Sequence, residues 1–307
     1  MALLALLLGA CGKGTAARLP TNTQITMKPV AIQVHLLDPG SAPRTALRLH
    51  LLQGATFNTT ATINLSLRLT VAGNTSPRLS LPPTTFSIRT RVVSVTAQGS
   101  TLDQSITGVE LAGQADPKVV AALRQAFKSI EGLHAQLTMD ERGDILSVGI
   151  QAPKTSDPQV RQILDQFSQQ DSNLLIPFPE EPVGRGARWT SSTGNGISLL
   201  GIHTISTATY VVQDMSRNTL NLQIMSDALV PEQQATITGL PAGAFGHVRK
   251  TVINSGGVVL IDLTQPIPTS FDQAGDGTVI VDVREGTRDE RLIEEVTTDF
   301  KVSTYRV

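Results

Sequence analysis

The side chains able to do chemistry are few and scattered along the chain. Five histidines, His35, His50, His134, His203 and His247, stand singly. None pairs at a spacing of four, the offset that sets two imidazoles on one helical face for a metal. They read as exposed strand or turn histidines. Two doublets, Glu180-Glu181 and Glu294-Glu295, have the adjacency of an acid/base pair. Neighbours in a strand point to opposite faces, so neither doublet makes a dyad, and both read as solvated charge. Asp272-Gln273-Ala274-Gly275-Asp276-Gly277 offers two carboxylates among glycines. That is too few ligands for a calcium loop, and it reads as a hairpin turn whose Asp-Gly supplies positive φ. No His-Glu-x-x-His, Gly-x-Ser-x-Gly or Cys-x-x-Cys occurs. The expectation is a non-catalytic protein, with no cofactor and no metal site.

Cys11 is the single cysteine, so no intramolecular disulfide can form. It follows a short leucine-rich run that ends Leu8-Gly9-Ala10-Cys11. An apolar core followed by small residues is the pattern of a secretory signal and its cleavage site. The segment resembles the lipobox of bacterial lipoproteins. That resemblance implies cleavage before Cys11, acylation there, and a mature chain lipid-anchored to a membrane of the bacterial cell envelope. No later run approaches the roughly 18 apolar residues a spanning helix needs.

Charge is nearly balanced, with 25 basic and 26 acidic residues, which argues against nucleic acid as a partner because that demands a dense basic face. Aromatics make up only 4% of the chain, so cores must be built from Leu, Val and Ile rather than from stacking platforms.

The elements that must position any site are mostly strands. From Ile63 to Val71 the odd positions are all apolar and the even ones are Asn, Ser, Arg and Thr, the period of a half-buried strand. Its length suits a strongly curved sheet or an open barrel. Thr84 to Val95 is a second strand, just after Pro82-Pro83. Asp116-Pro117 opens an amphipathic helix, with Asp as N-cap, Pro at the first helical position, and a stripe of Val120, Leu123, Phe127 and Ile130. Asp157-Pro158 opens a second, with Val160, Ile163, Leu164 and Phe167. Trp189, the sole tryptophan, reads as a core anchor at a strand start, with a ligand contact at a cavity mouth as the other reading.

Two segments read as hairpins: His134 to Met139 with Ile145 to Ile150, and His247 to Ile253 with Val258 to Leu263. Superposed, they match His134 with His247 and Gly143 with Gly256. Either an internal duplication or the chance likeness of short hairpins accounts for this. The expected organisation is a signal peptide over 1–10 and the lipidated cysteine with a flexible tether over 11–43. A first β-rich half with both helices follows over 44–176, then a Pro-rich linker over 177–183 and a second β-rich half over 184–307.

The fold class that emerges is α+β and β-dominated. A large curved antiparallel sheet forms an open half-barrel, two amphipathic helices lie on one face, and two pseudo-repeats make up the chain if the duplication is real. A lipobox, a tether, long antiparallel strands and a few amphipathic helices resemble lipoprotein carriers of the LolA and LppX kind. That resemblance implies an apolar hollow, covered by helices, that receives a lipid or other hydrophobic ligand. Val120, Leu123, Phe127, Ile130 and Trp189 are then the ligand-binding candidates. The alternative is a structural or adaptor lipoprotein with a solid core, docking an envelope protein partner along its sheet.

Overall fold

Alternating sequence becomes long strands in the computed structural model, which describes residues 23–27, 32–113, 116–128, 130–152, 175–197, 203–235, 245–285 and 288–307. In chain order the first elements are β1 (Thr23–Met27), β2 (Ile32–Asp38), β3 (Thr56–Val71), the two-residue β4 (Asn74–Thr75) and β5 (Leu79–Ser80), β6 (Thr84–Thr96) and β7 (Gly99–Leu111). The helix α1 (Pro117–Lys128) precedes β8 (His134–Met139) and β9 (Ile145–Ala152). Then come β10 (Arg188–Ile197), β11 (His203–Met215), β12 (Thr219–Val230), β13 (Gln233–Ala235) and β14 (Phe245–Val248). The last three are β15 (Thr251–Asp262), β16 (Ser270–Glu285) and β17 (Arg288–Arg306).

All the ladders are antiparallel. They run without a break from β2 through β10, β11, β12, β15, β16, β17, β3, β6, β7, β8 and β9 to β1. The sheet curls into a barrel. Its two end strands, β1 and β2, are consecutive in the chain, and no ladder joins them among the described residues.

Alternation decides which side faces in. On β12, Leu220, Leu222 and Ile224 are buried while Thr219, Asn221, Gln223 and Met225 are exposed. On β3, Phe57, Thr59, Ala61 and Leu67 are buried, with Asn58, Thr60, Thr62 and Asn64 on the other face. Inside, one cluster centres on Phe57, Val92, Leu102, Leu123 and Leu137. A second centres on Phe178, Trp189, Leu222 and Phe271. A smaller one holds Val230, Val248, Val279 and Val281.

The helix forms as its sequence directs. The Asp116 carboxylate accepts from the Lys118 amide at 2.8 Å, which caps the free N–H groups of the first turn. Leu123, Phe127 and Ile130 are buried in the same cluster as Leu102 and Ile106 of β7, so α1 lies on the inner, concave face of the sheet. The second expected helix lies outside the described residues, as does Cys11.

One end of the barrel is crossed by two non-regular segments, residues 39–55 and 175–187. Thr45 and Val183 exchange backbone hydrogen bonds at 2.8 and 3.0 Å. Leu49 N–H donates to Glu141 O, His50 N–H to Leu263 O, and Phe178 N–H to Arg142 O. Arg48 fastens both segments, pairing with Glu141 at 2.9 Å and donating to Glu180 O at 3.0 Å. Buried Leu47, Leu51, Ile176, Phe178 and Val183 stop this end with side chains.

Several expectations are corrected. His247 to Leu263 is not a hairpin: Thr251–Asp262 is one strand, paired along twelve positions with β12 and also with β16. Its Asn-Ser-Gly-Gly stretch looks like a turn locally, but two flanking ladders hold it extended. The match with the genuine β8–β9 hairpin, which turns at Asp140 to Gly143, therefore does not extend to structure, and the pseudo-repeat loses its main support. Asp272 to Gly277 is likewise mid-strand in β16. The stretch read as tether supplies β1 and β2, which pair with β9 and β10. The Pro-rich segment is no interdomain linker, because Pro177, Phe178, Pro179 and Val183 are buried and β3–β17 and β2–β10 ladders join the two halves.

Candidate functional site

Between the stopped end and α1, the inner wall leaves a cavity of about 430 Å3 among the described residues. Its apolar surface comes from several strands, with Ile63 of β3, Phe86 and Ile88 of β6, Ile224 of β12, Phe271 of β16 and Phe300 of β17. Leu175 and Pro177 form the floor on the crossed end. This volume falls in the range of about 300–1,000 Å3 typical of small-molecule sites.

Glycine lets two strands of the wall pack closely. A Cβ on Gly275 would stand 2.6 Å from the Ser255 Cβ, and one on Gly277 would stand 2.6 Å from Ile253. Both glycines lie on the inner alternation of β16, so the absent side chains permit the close approach of β15.

Two polar groupings punctuate this wall. Gln273 donates from Nε2 to Ser226 Oγ at 3.1 Å and to Ser255 Oγ at 2.9 Å, linking β16, β12 and β15. Ser191 Oγ and Tyr210 Oη lie 3.3 Å apart, both buried. Burial pushes the Tyr210 phenol above its ordinary pKa, and the Ser191 contact offsets this in part. Ser206 and Thr298 also border the cavity.

The residues singled out in sequence do not touch the hollow directly; they stand behind its walls. Trp189 is fully buried, stacks on Tyr210 with ring centroids 5.3 Å apart, and donates from Nε1 to Pro177 O at 3.0 Å. Both of its partners border the cavity, and Trp189 is a core anchor. Phe127 meets the cavity-lining Phe86. Leu123 and Ile130 are core, and Val120 is half-buried on α1. Gln273, Ser226, Ser255, Phe271 and Phe300 were not identified in sequence. The alternation of Phe271, Gln273, Gly275 and Gly277 could have revealed them, but the glycines suggested a turn.

The glutamate doublet splits as strand geometry requires. Glu295 faces outward, 3.4 Å from Arg68 and 4.0 Å from Arg78. Glu294 faces inward and is only 9% exposed, which corrects its reading as solvated charge. Burial raises its pKa above the ordinary 4.5. Glu180 and Glu181 are exposed. His134 lies 3.8 Å from Asp103, and His247 bonds Glu232 at 2.7 Å. Among the described residues no three His, Cys, Asp or Glu side chains converge as metal ligands.

No helix among the described residues is long and apolar enough to cross a membrane. The outward residues of β3, Asn58, Thr60, Thr62, Asn64, Ser66 and Arg68, are polar, whereas Val252, Val258 and Leu260 of β15 expose apolar side chains.

No family model matches the chain, and no curated protein matches it. Among solved structures, the toluene transporter TodX of P. putida aligns at 8% identity over 83% of this chain and 91% of that one. Its TM-score of 0.19 is too low to carry an argument about fold or function.

Proposed function

We propose that this protein is a non-catalytic envelope lipoprotein, anchored to a membrane through acylated Cys11, that holds a hydrophobic ligand inside its curled sheet. The observation that carries the ligand-binding part is the cavity of about 430 Å3, walled by Ile63, Phe86, Ile224, Phe271 and Phe300. An adaptor with a solid core has no use for such a space, because unfilled apolar volume costs stability. The lipobox-like Leu8-Gly9-Ala10-Cys11 supports the anchor and the envelope location. Acylation is tested by labelling cells with radioactive palmitate: the protein takes up label, and Cys11→Ser abolishes it.

The cavity is tested with Nile red, a neutral dye that brightens and shifts to the blue in apolar surroundings. The protein is expected to bind one dye per chain. Ala208→Trp, which fills space at the lining, weakens binding by about tenfold, or about 1.4 kcal/mol. Equal brightening by this variant would place the dye on the outer surface and contradict the reading.

An adaptor role draws support from one feature, the exposed Val252, Val258, Leu260 and Met225 on the outer face of β12 and β15. These side chains are interspersed with Asn221, Gln223 and Asn254, so they form a broken patch rather than a continuous one.

A further inference from the structure

The geometry points to an uncharged ligand, one that carries a hydroxyl, carbonyl or ester oxygen read by Gln273 and Ser226 on the inner wall. This rests on the ligand-binding reading above and narrows it to a chemical class.

The lining chemistry separates the candidates. Among the described residues that border the cavity, the polar side chains are Ser, Thr, one Gln, one Tyr and one Asp; none is Lys, Arg or His. A carboxylate or phosphate drawn into apolar surroundings needs a cation or several charge-assisted donors, since an isolated buried anion is far costlier than a buried hydroxyl. The described lining offers no cation, only neutral hydroxyl and amide groups. Asp227, the one carboxylate at the border, is exposed and lies on the alternate face of β12 from the inward Ser226 and Ala228. It therefore gives no buried counter-charge to a cationic ligand.

Neutral groups do find partners. Both hydrogens of the Gln273 amide are engaged, by Ser226 Oγ and Ser255 Oγ, which fixes the amide plane. Ser255 in turn donates toward Ser226 O at 3.5 Å. The arrangement leaves the Gln273 amide oxygen as an acceptor and the Ser226 hydroxyl hydrogen as a donor. An alcohol can use both, and a carbonyl or ester oxygen can use the donor. Phe271 and Phe300, packed edge to face at 5.6 Å, and Ile253 supply apolar surface beside this polar spot.

The test uses the full chain with bound Nile red and measures its displacement by tetradecan-1-ol, tetradecanoate and dodecyltrimethylammonium at about pH 8, where the carboxylate is ionised. The alcohol is expected to displace the dye at a concentration lower by about tenfold than either ion. In Gln273→Leu the dye still binds, and the advantage of the alcohol falls to about threefold or less. Ser226→Ala, a smaller change, lowers the advantage in the same direction and serves if Gln273→Leu does not fold. Displacement by the carboxylate or the ammonium as effective as that by the alcohol overturns the inference, as does an undiminished advantage in both folded variants. Failure of the unaltered protein to brighten Nile red overturns the cavity reading itself, and this inference with it.

Discussion

Phe127 of α1 meets Phe86 of β6 edge to face, with ring centroids 5.5 Å apart and planes at 85°. Phe86 borders the cavity while Phe127 does not, so the helix acts on the hollow through a second layer. Edge-to-face pairs add about 0.5–1.5 kcal/mol beyond burial. Phe127→Ala is expected to cost about 3–5 kcal/mol in denaturant unfolding. It also weakens Nile red binding, because Phe86 loses its support. Unchanged dye affinity in a folded variant would show that α1 does not shape the cavity.

Trp189 and Tyr210 form the corresponding support on the opposite wall. Trp189→Phe leaves Pro177 O without its donor, and about 1–3 kcal/mol of stability is lost, measured by denaturant unfolding. The chain has two tyrosines, so Tyr305→Phe isolates Tyr210 for absorbance titration. Its phenol is expected to ionise above the ordinary 10, because burial disfavours the phenolate. A midpoint at or below 10 would mean that this side chain is solvated.

Glu294 gives stability a definite dependence on pH. Its folded pKa lies above the unfolded value of about 4.5, so between the two the folded state binds more protons than the unfolded one. The contribution of this carboxyl is therefore least unfavourable below pH 4.5. Stability is lost as pH rises through the folded pKa, and the loss is constant above it. Glu294→Gln is expected to raise the midpoint of urea unfolding at about pH 7–8 and to lose that gain below about pH 4.5. A gain that does not vary with pH would point to packing instead of ionisation.

The inner-wall glycines are expected to resist substitution. Gly275→Val drives atoms into Ser255, only 2.6 Å from the position of the new Cβ, and overpacking of this kind costs about 1–3 kcal/mol. Thermal unfolding measures the cost. A variant with unaltered melting would show that β15 and β16 can separate freely.

Local signals in the sequence carried much of this fold. The alternation of Ile63 to Val71, the Asp116-Pro117 cap and the turn at Asp140 to Gly143 each reflect interactions within a few residues, and each appears as expected. Asn254 to Gly257 and Asp272 to Gly277 misled because their turn propensity is local while their strand conformation is imposed by partners distant in sequence. The site was less legible for the same reason. Gln273, Ser226 and Ser255 meet only because β12, β15 and β16 are neighbours. Helix periodicity identified Leu123 and Phe127 as inward-facing without showing whether a core or a cavity lay beyond them.

Native mass spectrometry shows whether the barrel holds a hydrophobic ligand. The chain with Cys11→Ser, exported to a periplasm and purified without detergent, is expected to carry an extra mass that denaturation removes. That mass should match an apolar molecule small enough for a cavity of about 430 Å3. A bare protein mass, unchanged after incubation with neutral lipids, would mean that the barrel holds no such ligand.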